Sequence, residues 1–83
     1  MSRSLHAIGY EIHNNWQPLY FGAKPYVLAL MMLDDLDQDF GMDSAVSIVS
    51  YFLANAGTWK GEVARRVKAE LQQMLKNHSK GVR

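Results

Sequence analysis

DSAVSIVSYFLANAGTWKGEVARRVKAELQQML, residues 43–75, holds two apolar stripes at helical spacing, separated by Gly57-Thr58. In the first half Ala45, Ile48, Val49, Phe52 and Ala56 recur at three- and four-residue intervals, while Ser44, Ser47, Ser50 and Asn55 fall off that line. Such intervals put side chains on one face of a helix. Asp43 or Ser44 offers the side-chain oxygen that caps its start, and Gly57 stands where helices commonly stop. In the second half the stripe is Val63, Val67, Leu71, Met74 and Leu75. Thr58 reads as its N-cap, and Glu62 as a favourable charge in its first turn. Glu62 with Arg66, and Arg66 with Glu70, stand four apart and are expected to pair along the surface. Two helices joined this tightly must fold back on or cross one another.

Upstream, Pro25 suits a first helical turn, where its missing N–H costs nothing. From Tyr26 to Leu33 every residue is apolar, and Leu36 and Phe40 continue one face until Gly41 stops it. A helix apolar all round is buried all round, in the core or against another chain. Asp34, Asp35, Asp37, Asp39 and Asp43 then crowd its C-terminal end. The helix dipole disfavours negative charge there, so this acidic block conflicts with the rest of the pattern.

Nearer the start, Ile8, Tyr10 and Ile12 alternate with Gly9, Glu11 and His13. That period of two predicts a strand, Asn14-Asn15 a turn, and Trp16 to Phe21 an irregular returning strand that Pro18 confines to an edge. The fold class is therefore mainly α: three helices preceded by a short N-terminal β-hairpin or extended segment over Ile8–Phe21, with an α+β variant left open. One domain is expected over residues 1–83, with 1–6 and 77–83 frayed.

Composition agrees with a packed globule: of 83 residues, 48% are hydrophobic and 20% charged. With no cysteine, disulfides and thiolate metal sites are excluded. No apolar run approaches the roughly 20 residues of a membrane span, and no signal-peptide pattern opens the chain, so a cytoplasmic protein with no membrane partner is expected. The net charge of +1 conceals an acidic middle and a basic C-terminal end. A bipolar chain of this kind suits head-to-tail association or two different partners.

Four kinds of site are conceivable on these residues. Asp35, Asp37 and Asp39 match the first, third and fifth positions of an EF-hand loop, but Phe40 stands where glycine is needed and Val46 where a bidentate glutamate is needed. A solvated acidic segment explains them better. Gly57 and Val63 fit a helix-turn-helix, whereas Leu53 and Arg66 do not; Arg65, Lys68 and Lys76 nevertheless align opposite the last apolar stripe, where they would follow nucleic-acid phosphates. Catalysis has no support: His6, His13 and His78 are scattered, and there is no phosphate loop or nucleophile elbow. No cofactor, metal or small-molecule substrate is expected. Tyr10, Trp16, Tyr20, Met31, Met32 and Trp59 are the candidates for a protein contact, since aromatic anchors dominate binding hot spots and methionines adapt to them. The competing reading of each is core packing.

The stretch SIVSYFLANAGTWKGEVARRVKAEL (residues 47–71), together with YFGAKPY (residues 20–26), resembles small uncharacterised proteins of phages and other mobile elements. The resemblance implies no activity and no site residue. It implies stoichiometric binding to a host protein, as an accessory or anti-defence inhibitor. Sequence thus points to a non-enzymatic protein-binding module, expected to dimerise, with a small DNA- or RNA-binding domain as the alternative.

Overall fold

The computed structural model describes residues 3–81. Its elements run α1 (Leu5–Asn15), α2 (Lys24–Leu30), β1 (Asp39–Phe40), β2 (Asp43–Ser44), α3 (Ala45–Ala54) and α4 (Glu62–Gly81). Helix α1 packs on α2 and α2 on α3, while α4 lies against both α1 and α3. A mainly helical fold is what the periodicities led one to expect, but its parts are distributed differently.

The segment read as a strand and hairpin over Ile8–Phe21 is instead helical from Leu5 to Asn15. Leu5, Ile8, Ile12 and Trp16 are all buried, at intervals of three, four and four, whereas Tyr10 points out. The period is helical, and the alternation at Ile8 and Ile12 was its coincidence with a period of two. Ser4 caps the helix, its Oγ accepting the Ala7 N–H at 3.1 Å. Gly9 lies buried where α1 meets the end of α2. The chain then turns through Gln17–Pro18, a cis peptide.

Helix α2 ends at Leu30, eleven residues before the stop expected at Gly41. Three-residue bonds from Met32 N–H to Ala29 O and from Leu33 N–H to Leu30 O tighten its last turn. The aspartates lie beyond it, Asp34, Asp35 and Asp37 in a loop and Asp39 and Asp43 on the two short strands, which removes their conflict with the helix dipole. Local bonds favour that loop over helix. Gln38 Oε1 accepts the N–H groups of Asp34 and Asp35, and Asp35 Oδ1 accepts the Asp37 N–H at 2.9 Å. Leu33 and Leu36 still reach the core from the loop. The β strands form a short antiparallel ladder, Asp39 opposite Ser44 and Phe40 opposite Asp43, so the hairpin of this fold is here and not at the N-terminus. Gly41 takes φ +62° at the first central position of its two-residue turn, which glycine does without strain.

Of the two capping candidates for α3, Ser44 does the work, accepting the Ser47 N–H at 3.1 Å. Helix α4 starts at Glu62, not at Thr58; Gly61, at φ +107°, precedes it and its carbonyl accepts the Arg65 N–H. The connection bends inward so that Trp59 is buried. Buried on α4 are Ala64, Val67, Leu71 and Met74, with Val63 and Leu75 at the margin. The tail expected to fray from Asn77 is helical as far as Gly81, and Leu5 and His6 form the first turn of α1. Residues 1–2 and 82–83, also expected to fray, lie outside the described residues. Among the described residues no polar or charged side chain is buried, and no helix is long and apolar enough to cross a membrane.

Candidate protein-binding surface

The sequence candidates separate into two sets by burial. Trp16 and Trp59 are core residues, 7% and 4% exposed, with rings stacked at 5.4 Å and 8°. Phe52 meets both edge-on, at 6.3 and 6.4 Å. Neither tryptophan is presented to a partner. The reason is geometric: Trp16 follows the buried face of α1, and the inward α3–α4 connection delivers Trp59 to it.

The other set stays outside. Tyr10 is exposed on α1, its ring 4.8 Å from that of His6. His6 Nδ1 lies 2.7 Å from the Met31 carbonyl, so this nitrogen carries the proton and donates. Met31 is half-buried beside Gly9, whereas Met32 is 72% exposed. Tyr20 is exposed and stands edge-on to Phe21, which at 81% is among the most open large side chains. Tyr20 also borders a shallow cavity of about 310 Å³ with Ala54, Asn55, Gly57 and Thr58.

From Phe21 through Leu33 the backbone is continuously turned by i→i−3 and i→i−4 bonds, so helical spacing holds beyond α2 itself. Phe21, Lys24, Pro25, Leu28 and Met32 then fall in one narrow sector. All five are exposed, while Ala23, Val27 and Leu30 on the opposite side are buried. The all-round apolar segment is therefore covered on its inner side only, and its outer side is an apolar row interrupted by a single charge, Lys24. Pro25 and Leu28 were not among the sequence candidates. The signal that finds them is the spacing 21, 25, 28, 32, which had been hidden by the apolar residues between.

The proposed basic stripe is broken in the fold. Arg65 and Lys76 are exposed on α4. Lys68 instead turns its Nζ to the carbonyls of Ala56 and Trp59, at 2.9 and 2.8 Å, and ties the α3–α4 connection to α4. Burial, followed by the charge of Lys60, holds its ammonium below the usual lysine range. Arg66 and Glu70 do not pair along α4 as expected. They reach α1 and the chain before it: Arg66 Nη2 bonds Glu11 Oε2, and Arg3 grips Glu70 through Nε and Nη2 at 3.1 and 2.7 Å. Arg3 Nη2 also stands 2.7 Å from Glu11 Oε1, as an ion pair without an aligned hydrogen bond.

Glu11 is thus held below its usual value of 4.5, first by the Arg66 bond and then by Arg3, against the opposing effect of burial. A carboxylate whose folded value is depressed contributes stability above its unfolded value and loses it as pH falls through the folded one. Denaturation midpoints are therefore expected to fall between pH 5 and pH 3, on the order of the carboxylate range, and to fall less for Glu11→Gln. Parallel curves would deny the network any role.

Asp35, Asp37 and Asp39 do not converge, and no group of three metal-ligating side chains occurs among the described residues. Asp37 instead receives His78 Nε2 at 3.1 Å, joining the acidic loop to α4. Comparison with protein-family models, with curated proteins and with solved structures finds no match for this chain.

Proposed function

We propose that this chain is a non-enzymatic protein-binding module whose contact surface is the outer side of the α2 region. The observation that carries the reading is the row Phe21, Pro25, Leu28 and Met32, exposed in one sector of a chain whose inner sector is fully covered. Exposed aromatic and methionine side chains in contiguous apolar patches mark protein contacts rather than random surface. Tyr20 adjoins the row at Phe21, and Tyr10 stands beside His6, which bonds the Met31 carbonyl. Stoichiometric binding through such a surface is also what the likeness to mobile-element proteins implies, and a cytoplasmic setting goes with it.

Site-specific photocrosslinking in the cells that make the protein tests this. A benzophenone side chain placed at Phe21 or Met32 is expected to give discrete protein adducts, several-fold above one placed at Gln72 on the exposed side of α4. Equal, background-level labelling at all three positions would sink the reading.

A further inference from the structure

We infer that the occupant of this surface is a second copy of the chain, paired across a two-fold axis with the two α2 regions antiparallel. The inference rests on the protein-binding reading above and adds the partner and its orientation. A two-fold contact uses the same patch on both subunits, so residue i meets j and j meets i. With the axis beside Leu28, the two Leu28 side chains face each other, and Lys24 of each copy, four residues before, lies beside Met32 of the other, four residues after. Beyond Met32 the chain continues into Asp34 and Asp35, both exposed. The four-carbon stem of Lys24 reaches that next half-turn. The one cation in the apolar row is thereby matched to the acidic start of the loop, twice per dimer.

Charge decides the orientation. A parallel arrangement would set Lys24 against Lys24 and both acidic segments together, which costs attraction on both sides. The antiparallel one leaves no charge in the row without an opposite neighbour. It also gives the acidic block a role that its local bonds do not: the loop turns the backbone, while the exposed Asp34 supplies the charge opposite the partner copy's Lys24.

The contact is small, so a dissociation constant on the order of 10 μM is expected. Sedimentation equilibrium of the full chain from micromolar to millimolar concentration reads it directly. Lys24→Glu alone, and Asp34→Lys alone, are each expected to weaken self-association about tenfold, because each puts like charges together at both ends of the dimer. Mixed one to one, these two variants restore attraction at both ends, and association is expected to return to within about threefold of the original. Both changes are at exposed positions, and far-UV circular dichroism checks that helix content is kept.

Recovery on mixing supports the pairing. Unchanged self-association of both single variants overturns it, as does an original chain that stays monomeric up to millimolar concentration. The two levels of the claim separate cleanly. Crosslinked adducts at Phe21 and Met32 that contain another protein, with a monomer in the centrifuge, leave the binding surface standing and remove the self-pairing. Background-level crosslinking together with a monomer removes both.

Discussion

Trp59→Ala is expected to destabilise the domain by about 3–5 kcal/mol, the usual cost of emptying a large aromatic site in a core. A chain of 83 residues has little stability in reserve, so this loss leaves a substantial unfolded population at room temperature. The size of the effect follows from position. Trp59 stacks on Trp16 and meets Phe52 edge-on, so its loss opens a hole where α1, α3 and the α3–α4 connection come together. The connection is otherwise held by the Trp59 N–H on Ala56 O and by Lys68 on two carbonyls. These bonds span the same few residues and do not refill the space. Urea denaturation measures the loss. Near-ultraviolet circular dichroism gives an independent reading: these are the only two tryptophans, and a parallel indole pair couples while a single indole cannot. Trp59→Phe, which keeps a ring in the site, is expected to cost clearly less. If Trp59 were an exposed anchor, alanine would change stability by no more than about 0.5 kcal/mol.

Gly9→Ala is the second large effect, and its sign is the informative part. In an exposed helix interior, replacing glycine by alanine stabilises by about 1 kcal/mol. At position 9 the added Cβ would stand 2.8 Å from Met31 N, 2.9 Å from Met31 Cγ and 3.1 Å from Leu30 C. The Met31 side chain can swing away, but the two backbone atoms belong to the end of α2 and move only with it. The expected result is a net loss of about 1–3 kcal/mol, read as a lower denaturation midpoint with an unchanged slope. Because α2 carries the proposed contact row, the same substitution shifts that row relative to α1. A stabilised Gly9→Ala protein would mean that the two helices are farther apart than described.

Much of α3 and α4 is legible from residues 43–75 alone. A cap at Asp43 or Ser44, the buried stripe from Ala45 to Phe52 and the inward Val67–Leu71–Met74 line all follow, because caps and periodicity are local properties; the structure selects Ser44 as the cap. The N-terminal segment is ambiguous in sequence for an equally local reason. Positions 8 and 12 belong to one face of a strand and also to one face of a helix, and only the burial of Leu5 and Trp16 separates the two. The candidate surface was half legible: Tyr10, Tyr20 and Met32 are outside, while Trp16 and Trp59, of the same chemical type, are inside. Composition cannot sort them, since a large aromatic ring serves a core and an interface equally well.

Sequence by itself determined what depends on neighbours along the chain: a mainly helical chain, the start of α3 at Asp43 or Ser44, its buried stripe, and the absence of a membrane-length apolar run. The tertiary structure decided what depends on neighbours in space. Arg66 had a partner four residues away and took one fifty-five positions distant, and Lys68 left the surface for two carbonyls. Long side chains choose among all groups within reach, and the reach is set by which helices touch. For the same reason, only the packing of Val27 and Leu30 inward could leave Phe21, Leu28 and Met32 as the side that faces out.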